Sequence, residues 1–262
     1  MLKKLEVKRS GYHIITEENG AYAFTQMDTG LEIIPAGESK VYESGSKETA
    51  FLLLTGELSL RTSNGKYEAK RKSIFTERPY CLHIPRGVKA ELTAGDTSEL
   101  LIISTINERI FPEVWYTPGD VQDRFLGEGV WEGCAKRLIR DIFTYDNAPY
   151  SNLVVGEIIN LPGRWSSYAP HWHRQPEIYY YRFDKPQGFG ACFIGDDAHT
   201  IRDNSFAAIP GGLCHPQVAA PGYAMYYAWI IRHLDNDPWN ERIMDPAHEW
   251  LNERGAEVLK LG

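Results

Sequence analysis

The sequence lacks most of the features that mark secreted, membrane or nucleic-acid-binding proteins. Its 4 cysteines among 262 residues form no Cys-x-x-Cys pair, and we take them as reduced. No apolar run approaches the roughly 20 residues that span a bilayer, and the N-terminus has no apolar core for a signal peptide. With a net charge of −7 and no basic tract, the chain would on average repel a phosphate backbone. We expect a cytoplasmic protein with no membrane or nucleic-acid partner.

Helical periodicity is also scarce, and short apolar segments alternate with turn signals instead. Asn64-Gly65 is a strong signal for a two-residue hairpin turn. Many short strands with regular turns favour an all-β sandwich or barrel. In the first half we predict strands at residues 31–34, 49–54, 57–61, 73–75 and 100–104.

The strongest functional signal comes from His171, His173, Glu177 and His215. In an extended strand, side chains two residues apart share a face, so the first two imidazoles would point the same way. The proline before Glu177 marks a bend that lets the carboxylate return to them. The turn Pro210-Gly211-Gly212 would bring His215 from a neighbouring hairpin. Three imidazoles and a carboxylate suit one divalent ion, zinc first, with manganese, ferrous iron, nickel and cobalt left open.

These motifs carry a resemblance to a known superfamily. His-x-His-x3-Glu followed by Pro-x-Gly-x-x-His resembles the paired motifs of the cupins, which are double-sheet jelly-roll barrels with the metal inside. A narrower resemblance, to the 5-deoxy-glucuronate isomerases of myo-inositol catabolism, rests on residues 163–168, 177–183, 187–189, 215–216, 220–223, 226–227 and 245–250. It covers about residues 150–250, and the first half matches only in outline. Trp172 and the short segment 174–176 depart from the family pattern. We therefore expect the entrance of the pocket to differ, and the substrate could be a similar sugar acid instead of 5-deoxy-glucuronate.

The first half repeats the turn chemistry of the second half without its ligands. Residues 85–90 read Pro-x-Gly-x-x-Ala, with alanine where the later motif has histidine, and no imidazole lies near residues 41–43. We therefore predict two tandem jelly-roll (cupin) barrels. Residues 1–110 form an N-terminal barrel without metal ligands, residues 111–150 a connecting segment, and residues 151–262 the metal-binding barrel with a helical tail.

Four smaller predictions concern the ends and the connection. Residues 1–20 should form a strand or arm over the first barrel. Residues 135–143 are a strand or a short helix by pattern alone, and the resemblance implies a strand. The basic residues Lys136, Arg137 and Arg140 are expected as solvated or interface charges. Asp245-Pro246 should cap a helix of about two turns that stops before Gly255.

Three residues near the motifs are assigned structural roles. His83 and His248 are expected to be structural histidines. Cys214 is next to His215, so in a strand it would face away from the ion. We expect it to be a buried structural thiol.

The reaction implied by the resemblance is an aldose–ketose isomerisation, which moves a proton from C2 to C1. A divalent ion touching O1 and O2 would stabilise the enediolate. A base poised near neutral pH is needed as well. Its candidates are Glu157, Tyr179, Tyr227 and a metal-bound hydroxide, and spacing singles out none of them.

The substrate carboxylate requires cationic or hydroxyl partners. Arg164, Ser166 and Ser167, in the loop before the ligands, are the predicted set, with Arg182 as competitor. Tyr181 shares the inward face of its strand with Tyr179 and is a further substrate-binding candidate.

Two other functions fit the same ligands. A ferrous cupin dioxygenase needs open metal positions too, and a non-catalytic sugar-acid-binding cupin would bind without turnover. Fold does not decide between them. A homodimer is possible.

Overall fold

The protein is built almost entirely of antiparallel strands. The computed structural model describes residues 1–253 and 255–259. Within them, no helix combines the length and apolarity needed to cross a membrane. The predicted all-β architecture of two barrels is confirmed.

An 8-stranded sheet forms the first barrel. Strands β5 and β8 are 15 and 18 residues long, so each continues around the curve of the barrel. The order is β2-β3-β8-β5-β7-β9, with β4 paired to β8 and β6 paired to β5. The strands of the first half are β1 Leu2–Lys4, β2 Gly11–Thr16, β3 Asp28–Ile34, β4 Ser39–Glu43, β5 Lys47–Arg61, β6 Lys66–Arg71, β7 Tyr80–Ile84, β8 Lys89–Ile106 and β9 Val114–Tyr116.

Two facing sheets form the second barrel. The strands of this half are β10 Arg124–Leu126, β11 Arg137–Phe143, β12 Leu153–Asn160, β13 Trp165–Ser166, β14 His171–Trp172, β15 Glu177–Phe183, β16 Phe189–Ile194, β17 Asp197–Arg202, β18 Ser205–Ile209, β19 Gln217–Ala219, β20 Met225–Arg232 and β21 Ile243–Met244. The larger sheet has the order β1-β18-β15-β20-β12-β11-β10, and the smaller one β13-β19-β16-β17. Strands β14 and β21 pair separately.

Three short 3₁₀ helices complete the described residues: Ala23–Thr25, Trp131–Gly133 and Pro246–Asn252. The last is the predicted C-terminal helix. Its cap is as expected, because the Asp245 side chain accepts a hydrogen bond from the Ala247 amide at 2.9 Å. It is a 3₁₀ helix of 7 residues, tighter than the α-helix the sequence suggested.

The larger sheet of the second barrel has two buried faces. Tyr179, Tyr227 and Trp229 point into the barrel, where they pack against residues of the smaller sheet. Tyr180 and Tyr226 point the other way, into a core shared with the first barrel. Because side chains alternate along a strand, β11, β12, β15 and β20 each contribute to both cores.

Several sequence predictions about strands were wrong in detail. Residues 57–61 are not separate but continue β5, and residues 74–76 form a turn instead of a strand. Strands β4, β6 and β7 were not predicted. The mixed polar sequences of β4 and β6 give weak signals, whereas β7 is a short, mainly apolar segment whose strand pattern was missed. The N-terminal arm lies elsewhere than expected, because β1 pairs with β18 of the second barrel while β2 pairs with β3 of the first.

The connecting segment is largely built into the sheets. Strand β9 extends the first barrel, and β10 and β11 extend the second. Residues 137–143 are therefore a strand, as the resemblance implied. The domain boundaries at residues 110 and 150 stay a prediction.

A buried ionic cluster joins the two barrels. Arg71 of β6 donates to both carboxylate oxygens of Glu157 on β12, at 2.7 and 2.8 Å. Arg140 lies 3.5 Å from the same carboxylate, and the Tyr226 hydroxyl donates to it at 2.9 Å. Because Arg71 belongs to the first barrel and Glu157 to the second, this buried two-point ion pair links the two barrels.

We expect Glu157→Gln to lower the free energy of unfolding by about 3–5 kcal/mol, since it leaves the Arg71 charge buried without a counter-ion, whereas Arg140 keeps Asp123 at 2.8 Å. Denaturant unfolding measures this. Lys70→Gln, in the exposed pair with Glu57, is the matched control and should change little. Unchanged stability in the Glu157 variant would contradict the structural role.

Candidate metal centre

Four loops and strand ends of the second barrel bring the predicted ligands together. His171 is in β14, paired with Met244 of β21, and His173 follows it directly. Glu177 opens β15, and His215 precedes β19. All four side chains are buried.

Glycines allow the two motif segments to touch. The Gly212 amide donates to the His173 carbonyl at 2.7 Å. A Cβ at Gly211 would lie 1.8 Å from the Arg174 carbonyl oxygen, and Gly212 has a φ of +85°. Only glycine permits this approach and this backbone conformation. The turn therefore carries His215 up to the strand that bears the other ligands.

The distances define a compact cluster. Glu177 Oε2 lies 3.1 Å from His173 Nε2 and 3.1 Å from His215 Nε2. One ligand atom from each of these residues falls within 4.8 Å of the others. His171 lies just outside that group, with its ring centroid 5.7 Å from that of His215. The role of His171 as fourth ligand stays a prediction.

Backbone hydrogen bonds orient the three imidazoles. Each Nδ1 contacts a carbonyl oxygen: His171 with Ala169 at 2.9 Å, His173 with Gln175 at 2.9 Å, and His215 with Leu213 at 2.8 Å. A carbonyl only accepts, so each Nδ1 carries the proton and each neutral ring keeps its Nε2 lone pair free. This is the usual outer support of metal-binding histidines. The donor set fits a divalent cation.

The protonation states suit metal binding as well. Burial and the nearby charge of His215 lower the pKa of His171 to about 3. Burial alone would raise the pKa of Glu177, but hydrogen bonds donated from Nε2 of protonated His173 and His215 lower it to about 2. A divalent cation in place of those protons would favour the ionised carboxylate as well. A neutral imidazole and an ionised carboxylate are the forms that coordinate metals.

The cluster forms one wall of a cavity of about 30 Å³. Tyr179 and Ser167 also line it, with the Ser167 hydroxyl 3.3 Å from that of Tyr179. Tyr227, Ser166 and Tyr181 lie behind this wall, where Tyr227 and Ser166 hydrogen-bond to each other. Of the predicted catalytic and substrate-binding residues, Tyr179 and Ser167 thus line the cavity, and Tyr227, Ser166 and Tyr181 lie in the layer behind it.

Two predicted residues lie elsewhere. Glu157 is on the opposite face of β12 from Ile158, which lines the cavity, and its carboxylate is engaged by Arg71 and Arg140. It therefore has no access to a substrate at the cluster, and the prediction of a catalytic base there was wrong. Arg164 is half-buried and lies outside the cavity lining. Its competitor Arg182 is paired with Glu99 and Asp203.

Sequence reasoning missed three cavity residues: Arg137, Trp239 and Arg242. Arg137 was expected at the solvent or an interface, but it is 6% exposed and faces the cluster. The available signal was strand alternation. If residues 137–143 form a strand, Arg137 and Arg140 occupy opposite faces, and only one of them can meet Glu157.

The structural roles expected for His83, Cys214 and His248 have different outcomes. His83 is buried, with Nε2 2.8 Å from Glu48, and so has the structural place expected for it. Cys214 is half-buried, with its Sγ 3.7 Å from an Asp245 oxygen, so the expectation of a buried thiol was wrong. It precedes β19 and lies in no strand, which removes the alternation argument. His248 lies on the 3₁₀ helix and outside the cavity lining.

Comparison with known sequences identifies the family of the chain. The model of the KduI/IolB family matches residues 1–251. The chain belongs to the KduI/IolB family. It is 26% identical to the 5-deoxy-glucuronate isomerase of Geobacillus thermodenitrificans strain NG80-2, covering 92% of this chain and 94% of that protein. Identity to the Bacillus subtilis strain 168 enzyme of the same name is 25%, over 92% and 93% of the two chains.

Solved structures agree on the fold of this KduI/IolB member. An IolB-like protein from Salmonella typhimurium LT2 superposes with a TM-score of 0.86 at 22% identity, covering 96% of this chain and 99% of that one. An oxalate decarboxylase from Lactobacillus farciminis superposes with a TM-score of 0.67 at 9% identity, covering 93% and 88%. These likenesses establish the shared fold.

If the cluster binds metal, His173→Ala and His215→Ala should each lower metal affinity by more than about 100-fold, because each substitution removes a donor atom. Loss of a residue that only hydrogen-bonds to a ligand typically lowers metal affinity by about 10- to 100-fold. Metal content after dialysis, measured by mass spectrometry, tests this. His199→Ala, a histidine of β17 outside the cluster, serves as the control. Equal metal content in all three variants would refute the assignment.

Proposed function

We propose that this protein is a metal-dependent aldose–ketose isomerase that converts 5-deoxy-glucuronate, or a similar sugar acid, to the 2-ketose through an enediolate. The observation that carries the proposal is the cluster of Nε2 atoms around Glu177 in the cavity. The names of the relatives indicate the reaction. A ferrous dioxygenase or a binding protein without turnover remains the alternative from the ligand set alone.

We assign the metal to His171, His173, Glu177 and His215, with zinc as the first candidate. A divalent ion bound there would act as a Lewis acid and stabilise negative charge on O1 and O2. The surrounding side chains have roles different from that of the metal. They hold the sugar against the cluster, exclude water and move the hydroxyl protons.

Tyr179 is the best-placed proton carrier among the predicted groups. Its ring lines the cavity and lies 5.9 Å from that of His215. Burial raises the pKa of Tyr179 well above its usual value, as does the charge of Glu177. A phenol held in its protonated form gives a proton to a substrate oxygen more readily than it takes one from carbon, and Ser167 can relay that proton.

Tyr227 supports Tyr179 from behind. Their ring centroids are 4.9 Å apart, and burial raises the pKa of Tyr227 despite its hydrogen bond with Ser166. The hydroxyl is already engaged by that serine. Tyr227 therefore positions the wall of the site rather than meeting the sugar.

The reaction is tested by proton NMR of 5-deoxy-glucuronate in heavy water with metal-loaded protein. We expect the 2-ketose to appear with deuterium at C1, and His173→Ala to abolish it. Parallel oxygen measurement separates the rival function, since isomerisation consumes none. Unchanged aldose beside a filled metal site, or substrate loss that depends on oxygen, would refute the proposal.

Tyr179→Phe should reduce kcat by about 10²- to 10⁴-fold, the usual contribution of a positioned proton donor. Tyr227→Phe, the matched variant in the layer behind, should reduce it less. Steady-state kinetics with metal content held equal gives both values. A larger loss in the Tyr227 variant would reverse the two roles.

The place in myo-inositol catabolism, the cytoplasmic location and the possible homodimer stay predictions.

A further inference from the structure

We propose that Arg137 and Arg242 together bind the carboxylate of the substrate at the cavity that holds the histidine cluster. The inference rests on the proposed function for the identity of the ligand, a sugar acid. It replaces the set around Arg164 that the sequence suggested.

Arg137 is a buried cation without an anionic partner. It is the first residue of β11 and is 6% exposed. Its NH1 donates to the Ala135 carbonyl at 2.9 Å, while its Nε has no hydrogen-bond partner in the described chain. Among residues 1–253 and 255–259, no carboxylate lies within ion-pair distance of it. A buried charge in this condition destabilises the fold, so its retention points to a ligand.

Each of the other buried arginines has a carboxylate within ion-pair distance. Arg71 and Arg140 share Glu157, and Arg232 lies 3.4 Å from Asp235. The half-buried Arg182, on the outward face of β15, lies 2.6 Å from Glu99 and 3.2 Å from Asp203. The contrast makes Arg137 the exception among the buried guanidinium groups that the structure describes.

Arg242 supplies a second cation at the mouth of the cavity. It is exposed and lies 5.9 Å from the centre of the Trp239 ring, which also lines the cavity. It directly precedes β21, the strand paired with the one that bears His171. Arg242 also lines an adjoining cavity of about 360 Å³. The cavity lining thus contains one buried and one exposed guanidinium group.

The two like charges act on each other. Burial lowers the pKa of Arg137, and the charge of Arg242 lowers it further. An anion between or beside them relieves both the repulsion and the loss of hydration. Guanidinium groups also match a carboxylate in shape, since each can donate two parallel hydrogen bonds.

This charge pattern would orient the sugar. The aldehyde and the carboxylate are at opposite ends of 5-deoxy-glucuronate, and the cavity lining contains both the cluster and the two arginines. Holding the carboxylate at the arginines leaves C1 and C2 for the cluster. Such a site prefers a sugar acid over the neutral aldose of equal length.

The test measures binding without turnover. The acid alcohol made by reducing the aldehyde of 5-deoxy-glucuronate has no carbonyl to isomerise. The hexitol made by also reducing the carboxylate is its neutral match. Calorimetric titration of the metal-loaded protein with both compounds is compared between wild type, Arg137→Met and Arg242→Gln. Arg202→Gln, an exposed arginine of β17 beside Phe189, is the control.

We expect the Arg137 variant to weaken binding of the acid alcohol by about 10- to 100-fold, the range for a charge-assisted hydrogen bond. The Arg242 variant should weaken it less because that site is exposed to solvent. Binding of the hexitol and the control variant should stay within error of wild type. In the isomerase assay, the matching change is a raised KM for the sugar acid.

A stability measurement separates this role from a structural one. Methionine preserves the packing of the arginine stem and removes an unpaired buried charge, so Arg137→Met should unfold at an equal or higher midpoint. A large drop in the midpoint would instead indicate a structural arginine and overturn the proposal.

Other results would also overturn it. One is equal binding of acid and neutral compounds by the wild type. Another is a loss of acid binding in Arg164→Gln with none in the Arg137 variant. If isomerisation proceeds but neither arginine affects the acid, this inference fails alone. If isomerisation fails while acid binding depends on Arg137, the anion site stands and the reaction is a different one.

Discussion

The candidate metal centre depends on the buried contact between Glu177 and two imidazole nitrogens. A buried carboxylate 3.1 Å from the Nε2 atoms of His173 and His215 requires a positive charge or a donated proton beside it. A divalent metal ion bound there would provide that charge, and the backbone carbonyls that accept from each Nδ1 prevent the rings from turning away. The turn at residues 210–212 positions His215 for this contact, and the first residue of β15 is Glu177.

The large sheet separates two kinds of ionic chemistry by alternation. On the face toward the first barrel, Glu157 neutralises Arg71 and Arg140 and fixes the two barrels. On the face toward the cavity, Arg137 is left without a carboxylate among the described residues. Neighbouring arginines of β11 thus have opposite roles, one structural and one available to a ligand. The first barrel contributes to the site by supporting the back of this sheet.

The sequence predicts those parts of the molecule that rest on local chemistry. The ligand motifs, the glycine turn and the inward tyrosines of β15 follow from spacing and from alternation along a strand. Long-range pairing could not be predicted from the sequence. The pairing of β1 with β18 and the pairing of Arg71 with Glu157 join residues 86 or more positions apart, and no local pattern encodes such partners. Arg137 illustrates the gap, because its charge suggested solvent while its partner strands bury it beside the cluster.

His171, His173, Glu177 and His215 are the expected ligands of the metal centre. Anomalous X-ray diffraction from crystals of zinc-loaded protein, recorded on both sides of the zinc absorption edge, tests this assignment most directly. We predict a single strong peak within about 2.0–2.2 Å of Glu177 Oε2 and of the Nε2 atoms of His171, His173 and His215. A peak elsewhere, or metal bound through Nδ1 with the backbone hydrogen bonds broken, would contradict the account.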